Sequence, residues 1–135
     1  MFLSIFISGH IAIALGRVSH LRQNVEVLKG KNFDEIVLNP KNNIMVEFYS
    51  GNCPVCRKFA PTFEKVGEML KKHGNCWLAI LDVDEEPELA QRFGIVAPLP
   101  KFKYFPTHNK EGIDYTGGLN KKNLITFLRN GCGGD

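Results

Sequence analysis

The run Ile44-Met45-Val46-Glu47-Phe48-Tyr49 is apolar apart from one acid. It shows no alternation of polar and apolar residues, which is the pattern of a strand covered on both faces. Ser50-Gly51-Asn52 breaks the run, and Cys53 and Pro54 follow. Pro54 suits the first turn of a helix, where a missing N–H costs nothing. A buried strand that feeds straight into a helix is the building unit of α/β sheets. In such sheets active groups gather where a strand ends and the next helix begins. Cys53 and Cys56 stand at that junction.

The rest of the chain extends the alternation. Val25-Glu26-Val27-Leu28 predicts a short strand. Asn32 with Glu35 three residues on predicts a capping box and a short helix that Asn39-Pro40 stops. Phe59, Phe63, Val66, Met69 and Leu70 recur at helical spacing, so a helix with Pro61 inside it is expected from Pro54 to Lys72, ended by Gly74. Residues 76–83 predict a strand, 85–93 a helix, and Lys101–Phe105 and Ile113–Tyr115 two further strands. Asn120 is expected to cap a last helix reaching Arg129. The order β-α-β-α-β-α-β-β-α implies an α/β fold, a central mixed sheet with helices on both faces. Trp77 and the phenylalanines are expected in the core.

With 135 residues the chain has the length of one domain and needs no staple to bury a core. Its net charge of +3 is mild, and the basic residues form no stripe interleaved with aromatics, which argues against nucleic-acid binding. Four cysteines are present, and only Cys53 and Cys56 are close together. A structural zinc site would need a second close pair, so no metal is expected. Cys76 is expected as a small buried residue, and Cys132 as an exposed one in a glycine-rich tail. Residues 1–16 carry no charged side chain and are shorter than the ~20 residues of a membrane span. Ala12 and Ala14 fit a signal-peptidase site, so 1–16 is expected as a signal peptide and 17–135 as the folded domain.

The chemistry follows from placement. A thiolate, not a thiol, attacks a disulfide. Unpaired N–H groups and the helix dipole favour negative charge at a helix start, so Cys53 is expected to have a lowered pKa. Cys56 lies one turn on, on the same face and deeper, and can resolve a mixed disulfide formed at Cys53. Glu47, an acid in an apolar strand, is expected to be buried with a raised pKa and to move the proton of Cys56. Pro98-Leu99-Pro100 predicts a turn.

Several segments together carry a family resemblance. They are Val46-Glu47-Phe48-Tyr49, the Cys-x-x-Cys, and Lys58-Phe59-Ala60-Pro61-Thr62-Phe63-Glu64-Lys65. Asp82, Pro87-Glu88-Leu89-Ala90-Gln91-Arg92-Phe93-Gly94-Ile95, Pro100 and Tyr115-Thr116-Gly117-Gly118 continue it in order. Over residues 25–130 the chain resembles the catalytic domain of a protein disulfide isomerase in the thioredoxin superfamily. The resemblance implies a thioredoxin fold, Cys53 as nucleophile, Cys56 as resolving thiol and Glu47 as the buried acid. It makes Pro100 the candidate cis proline, with Pro98 the alternative because the loop is one residue longer than usual. It implies no bound metal or organic cofactor. Leu99, Pro100, Asn52, Pro54 and Val55 are the expected substrate-binding surface.

Three tuning positions differ from the family pattern. Asn52 replaces a Trp, Pro54-Val55 replaces Gly-His or Gly-Pro, and Ile80 stands where a Lys pairs with the buried acid. The expected partners are protein thiols and disulfides, with glutathione or a protein oxidase or reductase for recycling. The expected location is the endoplasmic reticulum lumen, or outside the cell, because residues 133–135 are not a retention-type ending. Two other readings remain open at this point. One is a redox-weak binding module for unfolded chains; the other is a cytosolic thioredoxin-like reductase.

Overall fold

The computed structural model describes residues 24–73 and 76–132. The expected signal peptide, the helix stop at Gly74 and the tail 133–135 lie outside them. Elements follow in the predicted order: β1 Glu26–Val27, α1 Phe33–Val37, β2 Ile44–Tyr49, α2 Pro54–His73, β3 Trp77–Asp82, α3 Pro87–Arg92, β4 Lys101–Phe105, β5 Ile113–Tyr115 and α4 Lys121–Gly131. The strands form one sheet in the order β1-β3-β2-β4-β5. β3 runs parallel to β1 and β2, whereas β4 is antiparallel to both β2 and β5.

β2 lies at the centre, and its neighbours explain its composition. On one face Met45 packs with Phe59, Phe63 and Val66 of α2 and with Leu124 and Leu128 of α4. On the other, Ile44, Val46 and Phe48 pack with Phe33 and Val37 of α1 and Leu89 of α3. Each face is covered by two helices, so Ile44 to Phe48 are all buried, only Tyr49 at the strand's end is half-exposed, and no polar alternation is needed. Aromatic rings close the α2 face: Phe102 meets Phe59 and Tyr115 edge-on, with ring centres 5.8 and 5.7 Å apart.

Five local expectations are corrected. β1 is two residues long, although Leu28 N–H still donates to Ile80 O at 2.9 Å. The capping box at Asn32 does not form. Its Oδ1 accepts the Lys29 N–H at 2.7 Å and its amide donates to Val27 O at 3.2 Å, so the side chain closes the preceding turn instead. α3 starts at Pro87 rather than at residue 85. Glu85 pairs with Lys29, and Glu86 Oε1 accepts the Gly30 N–H at 3.0 Å, which draws both acids out of the helix. Trp77, at the first position of β3, is 42% exposed rather than core.

The fifth correction concerns the two remaining cysteines. Cys76 and Cys132 form a disulfide across a separation of 56 positions, with Cα atoms 5.7 Å apart. α4 runs two residues past the expected Arg129 and lays Cys132 against the sheet, buried rather than exposed in a tail. Asn120 caps α4 as predicted, accepting the Asn123 N–H at 3.0 Å.

Candidate redox site

Residues 50–53 turn the chain from β2 into α2, and four hydrogen bonds fix that turn. Cys53 N–H donates to Ser50 O at 3.2 Å, and Asn52 N–H donates to Ser50 Oγ at 3.1 Å. The buried Ser50 hydroxyl donates to Asp84 Oδ2, which ties the turn to the segment after β3. Arg57 Nη1 donates to Gly51 O at 2.8 Å.

Cys53 is the N-cap of α2, because its carbonyl accepts the Arg57 N–H at 3.1 Å. Its sulfur accepts the Cys56 N–H at 3.1 Å. That is the bond an Asn, Asp or Ser oxygen makes in the same position. When the pair is reduced, this N–H and the helix N-terminus favour negative charge on Cys53 Sγ. In this structure Cys53 and Cys56 form a disulfide with Cα atoms 5.2 Å apart. Cys53 is half-buried and Cys56 is 3% exposed, so one sulfur faces outward and the other inward.

The loop before β4 comes up against the outer sulfur. Leu99 O lies 3.6 Å from Cys53 Sγ. Ala97–Pro98 and Leu99–Pro100 are both cis, so the two candidate prolines share the conformation rather than one excluding the other. Asn52, Pro54 and Val55 are exposed around the dithiol, and Val55 presents an apolar side chain beside it.

Beneath the inner sulfur, Glu47 is buried at 3% exposure. It lines a cavity of about 700 Å³ together with Cys56, Ala60, Phe63 and Ile80. Glu47 and Ile80 are register partners on β2 and β3. The position at which the family resemblance expected a Lys is therefore an apolar wall of that cavity. A carboxyl sharing a cavity with Cys56 can exchange a proton with it directly or through water. Sequence reasoning treated Ser50 only as a strand breaker and missed Asp84 and Arg57. Their contacts join segments 34 and 6 residues apart, which no local pattern signals.

The thioredoxin family model matches residues 24–130. Protein disulfide isomerase-like 2-2 of Oryza sativa subsp. japonica is 37% identical over 117 residues, covering 87% of this chain and 31% of that protein. Protein disulfide-isomerase of Oryctolagus cuniculus is 36% identical over 111 residues, 82% of this chain and 21% of that protein. The chain thus spans less than a third of either relative. The solution structure of the first thioredoxin domain of mouse protein disulfide-isomerase A4 superposes with a TM-score of 0.72 at 28% identity, covering 83% of this chain and 78% of that one.

Proposed function

The chain belongs to the thioredoxin family, and from that premise we propose that it is a thiol–disulfide oxidoreductase of the protein disulfide isomerase type. The observation that carries this is the Cys53–Cys56 disulfide at the head of α2, with the outer sulfur as N-cap and the inner one buried.

In the reducing direction the Cys53 thiolate attacks one sulfur of a substrate disulfide. The substrate S–S bond breaks, and its other sulfur leaves with the electron pair and takes up a proton. A mixed disulfide now joins Cys53 to the substrate. Cys56 gives its proton to Glu47 and attacks Cys53 Sγ, and the second substrate sulfur leaves as a thiolate and is protonated. The substrate has gained two electrons and two protons; Cys53–Cys56 has lost the two electrons and the Cys56 proton, which Glu47 passes on, and the second proton comes from solvent. The same steps reversed oxidise a substrate, and release followed by re-attack isomerises it.

Leu99 and Pro100 stand where an extended substrate chain would meet Cys53, and the Leu99 carbonyl beside Sγ supports that role. Val55, Pro54 and Asn52 complete the surface. Substrates are folding proteins with thiols or disulfides, and glutathione or a protein oxidase or reductase resets the pair. The setting is the endoplasmic reticulum lumen or the secretory route. The test is insulin reduction with a thiol reductant. The parent chain accelerates it and Cys53→Ser does not; a parent chain without turnover sinks the proposal.

A further inference from the structure

Cys76 and Cys132 have no part in that cycle, yet they form the second disulfide of the described residues. We propose that Cys76–Cys132 is a structural lock that stays closed while Cys53–Cys56 opens and closes, so the domain carries one exchanging pair and one permanent one. Only the contrast between the pairs rests on the redox reading of Cys53–Cys56.

Two observations separate the pairs. The first is position. β2 and β3 run parallel; Cys53 follows the end of β2, whereas Cys76 precedes the start of β3. A six-residue strand therefore lies between them, on the order of 20 Å. Neither pair can reach the other within one chain. The second is access. A thiolate must approach a disulfide in line with its S–S bond. The exchanging pair offers the half-buried Cys53 sulfur, whereas both sulfurs of the other pair are covered: Cys76 and Cys132 are 4% and 7% exposed. Tyr104 Oη lies 3.5 Å from Cys132 Sγ and donates to Gly131 O at 2.9 Å, which covers the sulfur and holds the end of α4.

The lock closes a loop over residues 76–132. That loop contains the Pro98–Pro100 segment, and both α4 and β3 are fixed to its two ends. Closing it takes two electrons and two protons from Cys76 and Cys132. Glutathione disulfide accepts them and becomes two glutathiones. A domain that depends on the lock folds in an oxidising compartment, an expectation independent of residues 1–16.

Alkylation of the full chain followed by peptide mass mapping tests this. Unfolded without reductant, the purified protein takes no label at Cys76 or Cys132. Native in a glutathione mixture that opens Cys53–Cys56, it takes label at the half-buried Cys53 and none at Cys76 or Cys132. Cys76 and Cys132 react in the same mixture only after guanidinium unfolds the chain. Free thiols at 76 and 132 in the first sample, or labelling there in the native second sample, overturns the lock. The two pairs are mapped separately, so failure of Cys53–Cys56 to cycle is read apart from failure of the lock, which a stronger reductant then tests. The double substitution Cys76→Ala/Cys132→Ala lowers Tm by about 10 °C or more and leaves insulin turnover below the new Tm within about twofold. An unchanged Tm contradicts the proposal.

Discussion

The backbone N–H of Cys56 donates to Cys53 Sγ at 3.1 Å, so the peptide group of the inner cysteine holds the outer sulfur. In this chain the helix start supplies the stabilisation of the thiolate, and the exposed Val55 adds no charge to it. An imidazolium at residue 55 would add attraction for the thiolate and favour the reduced pair. Val55→His is expected to shift the glutathione equilibrium toward the dithiol about tenfold, or about 30 mV in the oxidising direction. A redox titration of the two proteins side by side measures it.

Glu47 shares its cavity with Cys56 rather than with Cys53. Its removal is therefore expected to slow resolution and leave the first attack intact. Glu47→Gln keeps the shape and loses the proton acceptor. Turnover with insulin should fall on the order of 100-fold, while the rate at which Cys53 is alkylated changes little. The pH–rate profile of the variant should also lose the limb that the parent shows, which a purely structural role would not produce.

Ser50 is the bracket of the turn, joining Asn52 N–H to Asp84. Ser50→Ala leaves the Asn52 N–H and the carboxylate without that hydroxyl. The expected cost is about 1 kcal/mol, read as a fall in Tm of about 4 °C. Ser50→Thr, which restores the hydroxyl, should recover part of it.

Burial pushes the Tyr104 phenol up to about 12 from its ordinary 10.0. Between those values the unfolded chain gives up the proton and the folded one keeps it. The unfolded state then binds fewer protons, so stability is full below pH 10 and declines as pH rises through about 12. After allowance for solvent screening the loss is on the order of 1–2 kcal/mol. Tyr104→Phe should flatten this slope in urea unfolding between pH 9 and about 12. Burial also raises the Tyr115 phenol, so a smaller slope should remain.

What the sequence disclosed, and what it hid, divides by range. β2 was legible to the residue because a strand covered on both faces leaves a run that is apolar but for Glu47. The Cys53–Cys56 site was legible because strand, breaker, proline and dithiol are contiguous. Asn32 and Glu35 carry a capping signal that the structure does not use, since Asn32 finds nearer partners in Lys29 and Val27. Glu85 and Glu86 look like a helix start until residues 29 and 30 claim them, 56 positions away. The Cys76–Cys132 bond spans a similar distance, and two isolated cysteines carry no mark of their pairing. Only the fold brings them together.

The central claim is that Cys53 attacks and Cys56 resolves, and trapping tests it most directly. Reduced Cys56→Ser, mixed with a protein disulfide and quenched with acid, should accumulate a mixed disulfide that peptide mapping places on Cys53. Accumulation of no adduct, or turnover of Cys56→Ser at the parent rate, would contradict the account.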